Sequence, residues 1–351
     1  MKLILTINPG STTTKMGVFN RSEKIHEFKV EMPASKISKK NVAIEFPYRK
    51  DSIERSLKDV DLKDLVAVVG RGGLLKPLEG GVYRVNDKLV EDLKEAKNGN
   101  HASNLGAMLA DYFGKKFGVP AYIIDPVTID ELEDVARISG VPGIERKSRA
   151  HALNIKATAR KICDQNDWNI ENNNFVVAHL GGGISICALK RSRMVDVNDA
   201  LIGMGPFSPE RAGALPLRGV MDLAYSGEYT KKELELLFIK NSGLKGYLGT
   251  NDGREVSKRI KNGDKKAKLI FDAMIYQIQK EIGAMLSVCN YNVKAIIITG
   301  GLAYNKNIQE QLTKNLEKFN IIFSPGENEL EAMADGGFRA IDGKIKINEY
   351  K

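Results

Sequence analysis

The chain has 351 residues, of which 42% are hydrophobic, 28% charged and 7% aromatic, a globular mixture long enough for two domains with buried cores. No apolar run approaches the roughly 18 residues that span a bilayer, and three distant cysteines (Cys163, Cys187, Cys289) without CxxC spacing exclude a disulfide scaffold and a cysteine zinc site. The formal net charge of +9 falls on scattered lysine pairs such as Lys39-Lys40, Lys231-Lys232 and Lys265-Lys266, which favours a small anionic ligand over nucleic acid.

Met1-Lys2 leads directly into Leu3-Ile4-Leu5-Thr6-Ile7, a β-branched apolar run that predicts a buried strand and no secretory leader. The run ends in Asn8-Pro9-Gly10-Ser11-Thr12-Thr13-Thr14-Lys15, and Met16 to Phe19 resumes strand-like residues. The Gly-Ser-Thr loop therefore joins two strands, and Lys24 to Glu31 alternates as a third. Leu65 to Val69 is a strand running into Gly70-Arg71-Gly72-Gly73. His101 to Phe117 carries Leu105, Met108, Leu109, Tyr112 and Phe113 at helical spacing, stopped by Gly118-Val119-Pro120. Ala121 to Ile124 is a strand ending at Asp125-Pro126, and Ala150 to Cys163 is a helix.

A second segment repeats the opening plan. Phe175 to Leu180 is a strand, Gly181-Gly182-Gly183-Ile184-Ser185 a tight turn, and Ile186 to Leu189 and Met194 to Val197 are strands. Gly10 and Gly181 are 171 residues apart, close to half the chain. A long helix, Lys266 to Cys289, follows, and Ala295 to Thr299 is a strand ending in Gly300-Gly301, echoing Gly70 to Gly73. Two echoes in the same order predict a duplicated α/β domain. No low-complexity linker separates the halves, which predicts direct packing between them.

The candidate chemistry sits at strand ends. Asn8 to Lys15 offers backbone N–H groups, hydroxyls and one ammonium, a set that suits phosphate oxygens. It lacks the second glycine and following helix of a Walker A loop, and its alternative is a polar hairpin. Gly181, Gly182 and Gly183 let backbone amides approach a polyphosphate closely. Ligands of open α/β sheets lie at the carboxyl ends of strands. That rule gathers Asn8, Arg71, Asp125 and Gly300-Gly301, with His179 beside the glycine turn. The plainer alternatives are a surface salt bridge for Arg71, turn formation for Asp125 and structural roles for His101 and His151. His26 receives no role. No histidine pair has metal-ligand spacing. Glu327 and Glu329, in Pro325-Gly326-Glu327-Asn328-Glu329, are either magnesium partners or a solvated acidic turn.

In combination these motifs resemble the butyrate kinases, within the superfamily of acetate and sugar kinases, heat-shock chaperones and actin. The resemblance also rests on His101-Ala102-Ser103-Asn104, Asp134 to Gly140, Glu145 to Ser148, His179 to Gly183, Gly205 to Arg211 and Thr299 to Tyr304. It implies an α/β fold of duplicated ribonuclease-H-like (actin-like ATPase) domains with a cleft between them. Residues 1–150 plus 330–351 would form the N-terminal domain on the carboxylate side, and 151–329 the C-terminal domain on the nucleotide side.

The implied reaction is reversible transfer of the ATP γ-phosphoryl group to butanoate or a branched short-chain acid, giving an acyl phosphate and ADP. The resemblance puts Arg71, Asp125, His151, His179 and Arg211 in catalysis. It puts Asn8, Arg71 and His101 on the acid. Gly10, Ser11, Thr12, Lys15, His179, Gly181, Gly182, Gly183, Gly300 and Gly301 fall on ATP or ADP, and Asn8, Asp125 and Glu329 on Mg²⁺. Arg218 competes with Arg211, and Glu327 with Glu329. A carboxylate acceptor is already ionised, so no general base is required. The chain differs from acetate kinases at His101 to Asn104 and at Ile124-Asp125-Pro126-Val127, which favours a longer acid. The alternatives are an acetate or propionate kinase and a non-kinase actin-like nucleotide-binding protein. A cytoplasmic homo-oligomer (a dimer or a multiple of it) acting on small molecules, with no nucleic-acid or membrane partner, completes the expectation.

Overall fold

The computed structural model describes residues 2–21, 23–38 and 40–351. Among them the strands form two sheets, one of seven strands and one of five. The first contains β1 (Leu3–Pro9), β2 (Thr13–Phe19), β3 (Lys24–Glu31), β4 (Leu65–Arg71), β5 (Val82–Arg84) and β6 (Ala121–Ile124). The second contains β7 (Asn174–Leu180), β8 (Ile184–Lys190), β9 (Arg193–Val197), β10 (Ala295–Gly300) and β11 (Ile321–Pro325), while β12 (Ile347–Glu349) returns to the first.

The strand orders are β12-β5-β6-β4-β1-β2-β3 and β11-β10-β7-β8-β9. Removing β12 and β5 leaves the same five-strand arrangement twice. In each, an antiparallel meander (β1-β2-β3 or β7-β8-β9) is extended by two parallel strands beside its first member. The duplication expected from the glycine loops is therefore a repeat of topology, and the fold is mixed α/β with two domains.

The chain divides into two compact units, one up to Asp130 plus Asn328–Lys351, the other Glu131–Glu327. Residues 131–150, grouped with the N-terminal half by sequence, belong to the second unit. Charge pairing accounts for this. The buried Glu131 carboxylate accepts from Lys156 Nζ at 2.7 and 2.9 Å and from the Met194 amide at 2.7 Å, and Arg146 donates to Asp196 at 2.7 Å. An ion pair with both members buried is strongly destabilised when one partner is withdrawn.

Within the first unit, alternate residues of a strand face opposite sides of the sheet. Leu5, Ile7 and Val68 join the core with Leu105, Leu109 and Phe113 of the helix Asn104–Phe117. Ile4 and Val69 face the helix Glu329–Ile341, where a Cβ on Gly337 would lie 2.8 Å from each. In the second unit the helix Lys265–Val288 buries Phe271, Met274, Ile278 and Ile282 together with Val176 and Ile296. The helix Ala152–Gln165 packs on β7 and β10. Among the described residues, no helix is long and apolar enough to cross a membrane.

Candidate functional site

In the first unit, three adjacent parallel strands end side by side. Ile7 pairs with Gly70 and Arg71 with Ile124, so Asn8, Arg71 and Asp125 follow one another across the sheet edge. Asn8 Nδ2 donates to Glu329 Oε2 at 2.6 Å, and Arg71 Nη2 lies 3.2 Å from Glu329 Oε1. Glu329 occupies the first turn of its helix, where the positive end of the macrodipole favours a carboxylate. Arg71 is 9% exposed, and its Nη1 is buried with no hydrogen-bond partner among the described residues.

Asp125 is fully buried at φ +40°, a left-handed conformation that costs a non-glycine residue about 1–3 kcal/mol. Reciprocal bonds hold it there: the Gly81 amide donates to Asp125 Oδ1 at 2.8 Å, and the Asp125 amide donates to the Gly81 carbonyl at 3.0 Å. A strained, buried carboxylate at a strand end is a functional signature in an α/β sheet.

His101 Nδ1 accepts from the Ser103 amide at 3.2 Å and lies 2.8 Å from the Ser103 hydroxyl, so the neutral ring carries its proton on Nε2. Burial, then the Arg71 charge, push its pKa below the ordinary histidine value. His101 therefore presents a neutral N–H donor near pH 7. Two close packings bring its segment and that of Asp125 onto Arg71-Gly72-Gly73. A Cβ on Gly72 would sit 2.6 Å from Pro126 Cβ, and one on Gly73 2.6 Å from Asn104 Cα.

Gly10, Ser11 and Thr12 lie on the turn between β1 and β2, and Lys15 lies within β2, exposed and paired in register with Asn8. Sequence reasoning passed over the residue that braces this turn. Arg49 is fully buried, donates to Glu45 at 2.6 Å and Thr14 Oγ1 at 2.7 Å, and reaches the carbonyls of Thr13 and Ser11 at 3.2 and 3.4 Å.

The second unit holds the other group. His151 and His179 stack with ring centroids 4.0 Å apart and planes 14° from parallel. His151 Nδ1 lies 2.8 Å from Ser185 Oγ, and His179 Nδ1 lies 2.8 Å from Asn154 Oδ1. Beside them runs the turn Gly181, Gly182, Gly183. Gly183 has no room for a side chain, since a Cβ would meet Arg211 Nη1 at 2.1 Å and His151 Cε1 at 3.2 Å. Ser208 clamps the turn to Arg211: its hydroxyl donates to the Gly182 carbonyl at 2.5 Å and accepts from the Arg211 amide at 3.1 Å. Arg211 Nη1 donates to the Ala200 carbonyl, its Nε is buried without a partner among the described residues, and burial lowers its pKa. Arg218 stands instead on the exposed helix Leu217–Tyr225.

Gly300 ends β10 in a two-residue bridge with Gly326, and Gly301 follows it. Gly301, Gly181 and Gly182 line a cavity of about 580 Å³, within the range of small-ligand sites. Its walls include Glu210 and Tyr304, which lie in motifs of the resemblance but carried no role there, and Asn251, Asp252 and Arg254, which did not stand out in the sequence. Asp252 had a readable signal, an acidic N-cap before the helix Gly253–Lys261. Glu327 also lines this cavity, with its Oε1 4.0 Å from His179 Nε2. The two candidate acidic residues thus differ in setting: Glu329 is tied to Asn8 and Arg71, and Glu327 stands beside His179.

Among the described residues, no three His, Cys, Asp or Glu side chains gather as a metal-ligand group. The donor set nevertheless suits Mg²⁺. Asn8 Nδ2 holds the Glu329 carboxylate, which leaves the Asn8 amide oxygen and the second carboxylate oxygen as hard ligands, and Mg²⁺ takes few protein ligands, completing its shell with water and phosphate.

The fold resembles that of known kinases. An acetate kinase from Porphyromonas gingivalis superposes with a TM-score of 0.78 at 18% identity, over 96% of this chain and 99% of that one. A propionate kinase from Francisella tularensis subsp. tularensis SCHU S4 gives 0.73 at 21% identity, over 96% and 99%. An acetate kinase from Entamoeba histolytica gives 0.77 at 17% identity, over 96% and 98%. At these identities the likeness concerns the fold. The sequence model of the acetokinase family matches residues 143–345, more than half of the chain. The chain therefore belongs to the acetokinase family and is a carboxylate kinase, a phosphotransferase working with ATP and ADP.

Proposed function

We propose that the chain is a butyrate kinase, which transfers the γ-phosphoryl group of ATP to butanoate or a branched short-chain acid and runs in reverse from the acyl phosphate and ADP. The observation that carries the chain-length reading is a packing. The two segments that depart from acetate kinases, His101 to Asn104 and Asp125-Pro126, press against Arg71-Gly72-Gly73. The acid-binding arginine is thereby set among residues peculiar to the longer-acid motif.

In this reading the first unit holds the acid. Arg71 offers its buried Nη1–H, which lacks an acceptor among the described residues, to the carboxylate. Asn8 and His101 add neutral donors. The second unit holds the nucleotide: Gly181, Gly182 and Gly301 leave its backbone open to phosphates and nucleoside, and Gly183 and Gly300 belong to the same two turns. In the first unit, Gly10, Ser11, Thr12 and Lys15 offer polar and cationic groups suited to phosphate. The acceptor carboxylate attacks the γ-phosphorus in line, its oxygen forms the new P–O bond, and the bond to ADP breaks. No proton moves in this exchange. Arg211 neutralises the charge that spreads over the equatorial oxygens, and His151 and His179 orient the transferred group or a water bound to it. Asn8, Asp125 and Glu329 would hold Mg²⁺, which would supply charge neutralisation at the phosphates. The protein acts in the cytoplasm as a homo-oligomer, and the exposed apolar residues Leu217, Met221 and Tyr225 on one helix support a self-association face.

The test is a hydroxylamine trap for acyl phosphate with acids of two to six carbons. Four- and five-carbon acids should give the highest kcat/KM. Preference for two or three carbons would make the chain an acetate or propionate kinase. ATP hydrolysis that does not depend on acid would contradict kinase action altogether.

A further inference from the structure

Asn154 lies on the helix Ala152–Gln165, three residues after His151, and is 4% exposed. Its Nδ2 donates to the Glu327 carbonyl at 2.8 Å and faces the Gly326 carbonyl at 3.4 Å. Carbonyl oxygens only accept, so both contacts require the amide nitrogen on that side. The amide orientation is thereby fixed, and Oδ1 faces His179 Nδ1 at 2.8 Å. An amide oxygen only accepts as well, so the His179 proton must sit on Nδ1.

The stacked partner lacks such a lock. Ser185 is fully buried, and its Oγ accepts from the His151 backbone amide at 3.2 Å. Oγ also lies 2.8 Å from His151 Nδ1, and a hydroxyl serves that nitrogen as donor or acceptor. Of two parallel imidazoles 4.0 Å apart, His179 is therefore the one whose neutral form is fixed, with its lone pair on Nε2.

We propose that Asn154 is a positioning residue that fixes the Nδ1–H tautomer and ring orientation of His179, so that Nε2 accepts a hydrogen bond from a water at the phosphoryl group. The proposal rests on the reading that His179 serves the transferred group. The wrong tautomer disables an otherwise intact catalytic histidine, as in the Ser-His-Asp triads. The carbonyls of Gly326 and Glu327 hold Asn154 in turn, so the turn after β11 sets the state of a histidine at the end of β7.

The experiment uses ¹⁵N-labelled full-length protein and two-bond ¹H–¹⁵N correlation spectra at alkaline pH, where imidazole is neutral. The His179 signals are assigned by their loss in His179→Gln. Wild type should show the Nδ1–H pattern. Asn154→Leu should shift His179 towards Nε2–H and lower kcat about tenfold or more, with KM for ATP little changed. Asn154→Asp, whose carboxylate still accepts from Nδ1–H, should keep the tautomer and most of kcat; it also serves if the leucine variant does not fold. An Nε2–H pattern in wild type or in Asn154→Asp would overturn the proposal, as would an unmoved tautomer in Asn154→Leu. Near-normal kcat in His179→Gln, together with the expected tautomer shift in Asn154→Leu, would place the failure in the reading of His179 instead.

Discussion

At the scale of single residues, the two arginines with a buried guanidinium nitrogen separate from the exposed one. Arg71 and Arg211 each keep one buried guanidinium N–H without a partner among the described residues, whereas Arg218 stands on an exposed helix. A buried donor left unmade costs about 1–3 kcal/mol, and an anionic ligand recovers that cost. Arg71→Ala and Arg211→Ala should therefore each lower kcat about 100-fold or more, the scale of losing a transition-state donor. Arg218→Ala should turn over at a near-normal rate. Steady-state kinetics on the three variants decides, and a dead Arg218→Ala beside an active Arg211→Ala would reverse the assignment.

At the scale of elements, the turn between β1 and β2 depends on a helix far along the chain. The Arg49–Glu45 pair is buried on both sides, and Arg49 also holds Thr14 and two carbonyls of the turn. Arg49→Met strands the Glu45 carboxylate and should destabilise the protein by about 3–5 kcal/mol in denaturant titration. Adding Glu45→Gln should recover a substantial part of that loss. No recovery would mean that the bonds to the turn, and not the stranded charge, carry the cost.

The same elements show what was legible in the sequence. β1, β4, β7 and β10 stood out as β-branched apolar runs closed by glycine, and the repeat of that pattern gave the duplication. β5 and β12 did not, because three residues carry no periodicity. The helix Glu329–Ile341 was hidden by Gly336-Gly337, which reads as a turn. Its reason is tertiary: a Cβ on Gly336 would fall 2.4 Å from Ile124 Cδ1, and only glycine lets the helix approach the sheet. Arg49 and Asn154 were invisible for a related reason. Each is a single polar residue in an ordinary helical stretch, and only the fold brings it to a turn or a histidine.

At the scale of the whole molecule, the helix Leu217–Tyr225 buries none of its residues within the chain. Leu217, Met221 and Tyr225, four residues apart and 80%, 59% and 88% exposed, form one apolar stripe. In the proposed reading a second copy of the chain covers this stripe. Light scattering should find a dimer or a multiple of it, and Leu217→Glu with Met221→Glu should give monomers. A monomeric wild type at micromolar concentration would contradict the assembly.

The proposed butyrate kinase takes a four-carbon acid in preference to acetate. Two further buried methylenes contribute about 0.8 kcal/mol each, which amounts to roughly tenfold in kcat/KM. Competition measures this directly. With equimolar acetate and butanoate, ATP, Mg²⁺ and hydroxylamine in one reaction, the initial ratio of the two hydroxamates equals the ratio of the specificity constants. Butanoyl hydroxamate in about tenfold excess is the predicted result. An excess of acetyl hydroxamate would contradict the account.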